Sequence, residues 1–497
     1  LRLAVANWIV WLLAALSFYV SSKFLPQSAA LALLLSNVCT LRVARLTRPW
    51  RGYLLIVASF TLAAFALESG TVPLPLMGVF ATFAVSVALQ SLPYLADRLV
   101  APRLPAAFAT FVFPSALVSI LYLSSLAAPF GTWGNPTYAL ELQLIGGLLA
   151  VTGLWGPIFL LGWLASVINH ALAHGLRPAS PLLAAWLVAA MAGYMITARP
   201  YQPPENSVIA AAITPASGLP RAFRCPDADT RCRTNRTAAR EKDLFASSEI
   251  AVKQGANILL WSETAAETLK SGEAAFRNRA HAFAARHDVF LFVGLAVIPD
   301  AYSQGVRLIE NKIVAITPTG IAWEYHKSKP VPGEPIAPGP GRVKMLDTPF
   351  GRIAAIICFD ADFPAVARQA GKAKADILLV SANDWSAIAS AHAHMAVFRG
   401  VENGVSLLRA ASNGRSLFAD REGHVLAAVS APANRLLVSR LPVSRRNTPY
   451  VAIGDAMALL CLGLLAALIV WGAARSRWPQ IRLRWREKIG FSYWGTP

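Results

Sequence analysis

The sequence predicts a membrane α-helical bundle of about eight transmembrane helices that carries one water-facing α/β domain. Three observations lead there. The chain has 497 residues and is 55% hydrophobic, above the roughly 45–50% of soluble domains. The excess is confined to residues 1–198 and 452–474, while 199–450 reads as an ordinary globular sequence. Within that block, short aliphatic runs alternate with amphipathic stretches. The division expected is therefore an N-terminal bundle of about seven helices (1–198), a catalytic-type domain (199–450), a closing helix (451–474) and a basic tail (475–497).

Each span follows from length. About 20 apolar residues cross a hydrocarbon core of about 30 Å. Candidates lie at about 4–22, 26–41, 52–68, 72–96, 105–127, 139–169, 181–198 and 452–474. The second is short and the sixth long, so both are candidates for a break or a tilt. The first lacks a basic n-region and has further spans behind it, so it is read as a span rather than a removable leader. Loop charges set the sidedness. Arg42, Arg45, Arg48 and Arg51 follow the second span, Arg98 and Arg103 the fourth, and Arg177 the sixth. The tail after the eighth holds Arg475, Arg477, Arg482, Arg484, Arg486 and Lys488, interleaved with Trp478 and Trp485. By the positive-inside rule these segments are cytoplasmic, and 199–450 faces the periplasm or the outside. The net charge of +19 has the same origin. No nucleic-acid motif accompanies it, so nucleic acid is excluded as a partner.

The soluble block begins after a Pro-rich exit at 199–206. Strands are predicted at 208–213, 257–261, 289–298, 352–359, 376–382 and 405–412, and helices at 238–254, 275–287 and 390–403. Uninterrupted apolar strands with helices between them suggest a layered α/β domain. Residues 327–342 (KSKPVPGEPIAPGPGR) are too rich in Pro and Gly for regular structure. Long loops in compact domains are frequently functional.

Reactive residues stand where three apolar or aromatic runs end: Glu263 after NILLWS, Lys327 in WEYHKSKP and Cys358 after IAAII. A thiol becomes nucleophilic when a base takes its proton or a cation stabilises its thiolate. Glu263 can be that base, Lys327 can stabilise developing negative charge, and the backbone N–H of Phe359 can assist. Each residue alone also has a plain reading: a small buried apolar Cys, a helix N-terminal carboxylate and a solvated lysine. The order Glu, Lys, Cys is what sets them apart. Lys329 is the rival for Lys327. His392 and His394, at i,i+2, point to different helix faces and read as surface or core residues rather than metal ligands. Arg399 and Glu402 read as a structural i,i+3 pair. Cys225 and Cys232 bracket PDADTR and can close a small disulfide loop in an oxidising compartment. Cys39 and Cys461 lie in spans as packing residues.

LLWSETA, WEYHKSKPVPGEP and IICFDADFP, followed by SANDWS and AHAHMAVFRGVENGVSLLRAASNGRSLFADREGHVLA, resemble the Glu-Lys-Cys triad contexts of the nitrilase superfamily. With the helical spans around them they are similar to the bacterial apolipoprotein N-acyltransferases within it. The resemblance implies a nitrilase-like αββα sandwich, a carbon–nitrogen hydrolase-like domain set between the seventh and eighth helices. It implies Cys358 as nucleophile, Glu263 as base and Lys327 as oxyanion partner. Glu334, in VPGE, stands for a second glutamate, and Phe359 and Asp360 for the aromatic and acidic residues after the nucleophile. The implied reaction moves an acyl chain from a membrane phospholipid, through a thioester, to the N-terminal amine of a diacylglyceryl apolipoprotein at the bacterial inner membrane. No cofactor and no metal are expected, and a monomer suffices. The chain departs from the family's WPE, QGN, VPFGE and NDAWFG motifs at Trp261-Ser262-Glu263, at Ile213–Ala216, at Glu334, and at Asn383–Ser386. These departures bear on substrate identity more than on the chemistry. The alternatives are a membrane-anchored nitrilase-type amidase acting on a small C–N substrate, and a lipid-sensing scaffold with a degenerate site.

Overall fold

A computed structural model describes residues 29–68, 76–197, 206–216, 221, 225, 229–300, 308–430 and 435–489, with the backbone alone for 66–68, 76–83, 197, 230 and 476–489. The first expected span, at about 4–22, lies outside these residues.

The helical region runs α1 (Ala29–Leu46), α2 (Pro49–Glu68), α3 (Leu76–Val100), a single turn α4 (Ala106–Ala109), α5 (Val112–Ala127), α6 (Leu142–Thr152), α7 (Trp155–His174) and α8 (Leu176–Thr197). After the α/β domain come a short α13 (Pro449–Ile453) and the long α14 (Ala456–Ile489). Among the described residues, five helical segments are long and apolar enough to cross a membrane: Ala29–Leu46, Ala106–Ala127, Trp155–His174, Leu176–Ile196 and Ala456–Arg475. The helices at Pro49–Phe65 and Leu142–Thr152 are apolar but shorter. The sixth expected span, written as one stretch from 139 to 169, is two helices. Gly153 breaks it at φ +61, and a Cβ there would meet the Tyr450 ring at 2.5 Å. Glycine is therefore required by both backbone and space. Inside the bundle, Arg45 is fixed by Asp97, with Nε 2.8 Å from Oδ2. Burying a charge demands such a partner.

The α/β domain has two sheets. One runs β13-β1-β2-β4-β5-β6, with β3 also paired to β4. Its strands are β1 (Ser207–Ile213), β2 (Ile258–Trp261), β3 (Ala266–Leu269), β4 (Phe290–Ile298), β5 (Glu310–Thr317), β6 (Gly320–His326) and β13 (Leu436–Pro442). The other runs β12-β11-β10-β9-β8-β7. Its strands are β7 (Met345–Thr348), β8 (Gly351–Ile357), β9 (Ile377–Asn383), β10 (Ser406–Ser412), β11 (Arg415–Ala419) and β12 (Val425–Ser430). The central trios β1-β2-β4 and β8-β9-β10 are parallel. Helices α9 (Thr230–Lys253) and α10 (Glu273–His287) cover the first sheet and α12 (Ala389–Asn403) the second, with α11 (Pro364–Lys372) packed against α12 and the Cys358–Asp362 turn.

The apolar runs are explained by burial on both faces. In β2, Ile258 and Leu260 enter the core between the sheets, while Leu259 and Trp261 pack with Leu244 of α9 and Phe276 and Phe283 of α10. Strands covered on both faces lose the polar alternation of half-exposed ones. The sheets approach closely where the site is built. A Cβ on Gly294 of β4 would stand 2.1 Å from the Ser262 carbonyl oxygen. Ser262 Oγ and Ser412 Oγ share a hydrogen bond of 2.7 Å, and Ser381 Oγ donates to the Trp261 carbonyl at 3.0 Å. These bonds pin the end of β2 to the ends of β9 and β10. Every strand expected from the sequence is present within a residue or two. The Pro/Gly-rich 327–342 segment is a loop, and Cys225 and Cys232 form a disulfide.

The bundle and the domain share contacts. The inner core continues from the sheets through α12 to Leu142, Leu149 and Leu154 of the bundle. The loop between α5 and α6 reaches the domain directly: Thr132 N and Oγ1 both donate to the Asp362 carbonyl, at 2.8 and 2.7 Å. Trp155 Nε1 donates to Asp455 at 2.8 Å, joining the start of α7 to the residue before α14.

Candidate active site

The chain ends β8 at Ile357 and turns sharply through Cys358–Asp362 before Pro364 opens α11. Cys358 sits at φ +47, a left-handed backbone that costs a non-glycine residue on the order of 1–3 kcal/mol. Such strain persists where the surroundings over-determine it, and it commonly presents a nucleophile. What over-determines it here is Asp360, fully buried and acting as a hub. Its Oδ2 accepts from Ile357 N at 3.2 Å and from the Tyr325 hydroxyl at 2.8 Å. Its Oδ1 accepts from Ser328 N at 3.1 Å, Ser328 Oγ at 2.8 Å and Lys329 N at 2.8 Å. One carboxylate thus ties the Cys358 turn to the segment carrying Lys327. Burial pushes Asp360 up to about 6, although the Tyr325 and Ser328 donors oppose it.

Lys327 leaves the end of β6 with no solvent exposure. Its Nζ donates to Glu263 Oε1 and to Glu334 Oε2, each at 2.8 Å. Burial opposes the ammonium, but Glu263, Cys358 and Glu334 outweigh it and hold Lys327 protonated. Glu263 follows β2 by two residues, its N–H bonded to the Ala382 carbonyl at 3.2 Å. Asn311 Nδ2 of β5 donates to Glu263 Oε1 at 2.6 Å. Glu263 thus has two donors on one oxygen. Glu334 is also held by Val331 N at 2.9 Å, and burial raises its carboxyl against the pull of Lys327. The missing residue in VPGE is absorbed by the loop, and Glu334 still reaches Lys327.

The Cys358 thiol is pushed well up, first by burial, then by Glu263, with Lys327 and an N–H bond from Asn383 opposing. A thiol held protonated at rest needs a base at the moment of attack, and the Glu263 carboxylate borders the same lysine. Lys329, the rival, is elsewhere: it is exposed, with Nζ 4.9 Å from the Phe363 ring centroid. Phe359 stacks edge-on against Phe363 at 5.4 Å. Its side chain walls the turn.

Behind Cys358 lies a second cluster, which the sequence reading did not assemble. Arg409 Nη2, in fully buried β10, donates to both oxygens of Asp384 at 2.9 Å. His392 Nδ1 meets Asp384 Oδ1 at 2.8 Å, and its Nε2 lies 3.4 Å from Asp362 Oδ2. The Cys358 sulfur, an Asp384 oxygen and a His392 ring nitrogen all lie within 4.8 Å of one another. Those are metal-ligating atom types, but Arg409 already sits on Asp384, so a metal ion would face a resident cation. His392 is a core residue, as expected, but with two acidic partners. The visible signal was Arg409, a charge inside the apolar run VSLLRAAS. Arg399 and Glu402 form the expected pair at 2.8 Å, fully buried, and Arg399 Nη2 donates to the Tyr138 hydroxyl of the bundle at 2.8 Å.

Residues 210–448 match the family model described as carbon-nitrogen hydrolase. Among curated proteins, the chain is 33% identical over 130 residues to the apolipoprotein N-acyltransferase of Geobacter metallireducens, covering 25% of each. It is 27% identical over 248 residues to the apolipoprotein N-acyltransferase of Pseudomonas syringae pv. tomato, covering 44% of this chain and 48% of that one. The matches thus span between a quarter and about half the length of these two relatives. A crystal structure of an amidase from Nesterenkonia sp. aligns with a TM-score of 0.40 at 18% identity, covering 52% of this chain and 95% of that one. The family match falls on the two-sheet α/β block, which is carried on a region of apolar helices.

Proposed function

We propose that this protein is a membrane-bound N-acyltransferase that moves a fatty acyl chain from a phospholipid to the amino terminus of a diacylglyceryl lipoprotein. Glu263 takes the Cys358 proton. The sulfur attacks the ester carbonyl, and negative charge gathers on the former carbonyl oxygen. Lys327 and backbone N–H groups of the turn stabilise that oxyanion. The intermediate collapses to a thioester as Glu263 returns the proton to the departing lysophospholipid alcohol. In the second half, the acceptor amine attacks the thioester. Glu263 accepts its proton and delivers it to the leaving sulfur. The products are an amide and the free thiol. Glu334 holds Lys327 together with Glu263, and Asp360 keeps the two segments in register.

The observation that carries this reading is the pair of hydrogen bonds from Thr132 to the Asp362 carbonyl. Thr132 belongs to a loop between two apolar helices, and Asp362 closes the nucleophile's own turn. An enzyme for small soluble amides needs no such fastening, whereas a lipid ester must be reached at the membrane. The loop charges support a bundle of eight spans with the domain on the periplasmic face of the inner membrane. The Cys225–Cys232 disulfide suits that oxidising side.

The test is purified protein in phospholipid micelles with a synthetic diacylglyceryl-cysteine peptide, followed by mass spectrometry. The expected product is a peptide heavier by one amide-linked acyl chain. Ammonia release from small amides, independent of lipid and without peptide acylation, would overturn the reading.

A further inference from the structure

The cluster behind Cys358 has an electrostatic balance that bears on the nucleophile. It holds two carboxylates, Asp362 and Asp384, and one permanent cation, Arg409. All three are fully or almost fully buried, and His392 is 3% exposed. Arg409 Nη2 bonds both Asp384 oxygens at 2.9 Å and also lies 3.3 Å from His392 Nδ1. The Asp362 carboxylate has no hydrogen-bond donor among the described residues, and its close ionic contact is His392 Nε2 at 3.4 Å. A buried carboxylate without a counter-charge is strongly destabilising. With a charged imidazolium the cluster is neutral; with a neutral ring it carries one net negative charge a few ångströms from the sulfur. The groups that face His392 from the packed elements are Cys358 and Asp362 from the turn, Asp384 beyond β9 and Arg409 from β10. Trp133 of the bundle loop packs edge-on at 5.8 Å, and His394, Arg399 and Glu402 share its helix.

We propose that His392 is a positioning residue that acts through Cys358, its charged ring neutralising Asp362 and Asp384 so that the thiolate forms beside a balanced cluster. The inference rests on Cys358 being the nucleophile. Burial works against the charged ring, but Asp362 and Asp384 outweigh it and lift His392 to about 9. The ring is therefore charged at neutral pH. At an effective dielectric of roughly 20, a unit charge at about 5 Å moves a neighbouring thiol by about two pKa units. The same ring orders the turn, because Asp362 is the residue whose carbonyl Thr132 grips.

The experiment measures the pH dependence of Cys358 alkylation by iodoacetamide in the full-length protein, with the site mapped by peptide mass to separate it from Cys39 and Cys461. His392→Gln keeps hydrogen-bonding capacity and removes the charge. It is expected to move the alkylation profile up by one to two pH units, and to slow alkylation at pH 7.5 by about tenfold to a hundredfold. Asp362→Asn removes a negative charge while Asp384 still holds the ring charged, so its profile moves down. Opposite shifts are the signature of charge. A shift in the same direction for both variants, or none for His392→Gln, overturns the proposal. The parent reading is tested separately in the same samples, by incubation with phospholipid. Wild type that alkylates normally but gains no acyl group on Cys358 fails as an acyltransferase, while the paired shifts still decide the role of His392.

Discussion

Replacing Asp360 by Asn tests how the site is held together. The carboxylate accepts five hydrogen bonds, three on Oδ1 and two on Oδ2. An amide must turn its NH2 toward one of these groups of donors. The less costly orientation faces Tyr325 and Ile357. The Tyr325 hydroxyl can rotate to accept, but Ile357 N–H is left facing a donor. An orphaned buried N–H costs about 1–3 kcal/mol, and the three remaining bonds drop from charge-assisted to neutral strength. The sum is about 2–4 kcal/mol. For a domain of this size that lowers Tm by about 5–10 °C. It also loosens Lys327 relative to Cys358, so acyl-adduct formation falls at least tenfold. Thermal unfolding in detergent and a time course of adduct mass measure both. A Tm within 2 °C of wild type together with an unchanged adduct rate refutes the hub role of Asp360.

Lys327→Ala leaves Glu263 buried beside an empty position and is expected to cut adduct formation by about a thousandfold, whereas Lys329→Ala changes it less than about threefold; single-turnover acylation of the two variants separates the lysines. Gly131→Ala places a Cβ 2.6 Å from the Asp362 carbonyl oxygen at φ +56, so the Thr132 grip is lost; slower acylation from micellar phospholipid, with Cys358 alkylation retained, is the expected readout. The raised value of His392, about 9 against an ordinary 6.5, gives stability that is fully present below about pH 6.5 and lost as pH rises through 9. Wild type should lose about 3 kcal/mol between pH 6 and pH 10 that His392→Gln does not, read by denaturant unfolding at each pH.

The order of Glu263, Lys327 and Cys358 was legible because each stands where an apolar or aromatic run stops, and strands buried on both faces advertise their ends. Glu334 was legible only as a motif one residue short; a Pro/Gly-rich loop can lose a residue and still deliver a side chain. Asp360 could be named from the sequence but not its work, because its donors come from Tyr325, Ser328 and Lys329, about thirty residues upstream. The cluster behind the sulfur was hidden for the same reason: Asp362, Asp384, His392 and Arg409 come from a turn, a strand end, a helix and a second strand, with no periodic spacing. Arg409 in VSLLRAAS was the available clue, since a charge in a strand buried on both faces requires a buried partner. The break at Gly153 was foreshadowed by the excessive length of the sixth apolar stretch. Its position was set by Tyr450, about three hundred residues away.

The most direct test of the account is intact-mass analysis of the purified protein after incubation with phospholipid. Wild type should gain the mass of one fatty acyl group, released by neutral hydroxylamine and mapped to Cys358, and Cys358→Ala should gain none. An unmodified wild type, or an equal adduct on Cys358→Ala, would contradict the proposed chemistry.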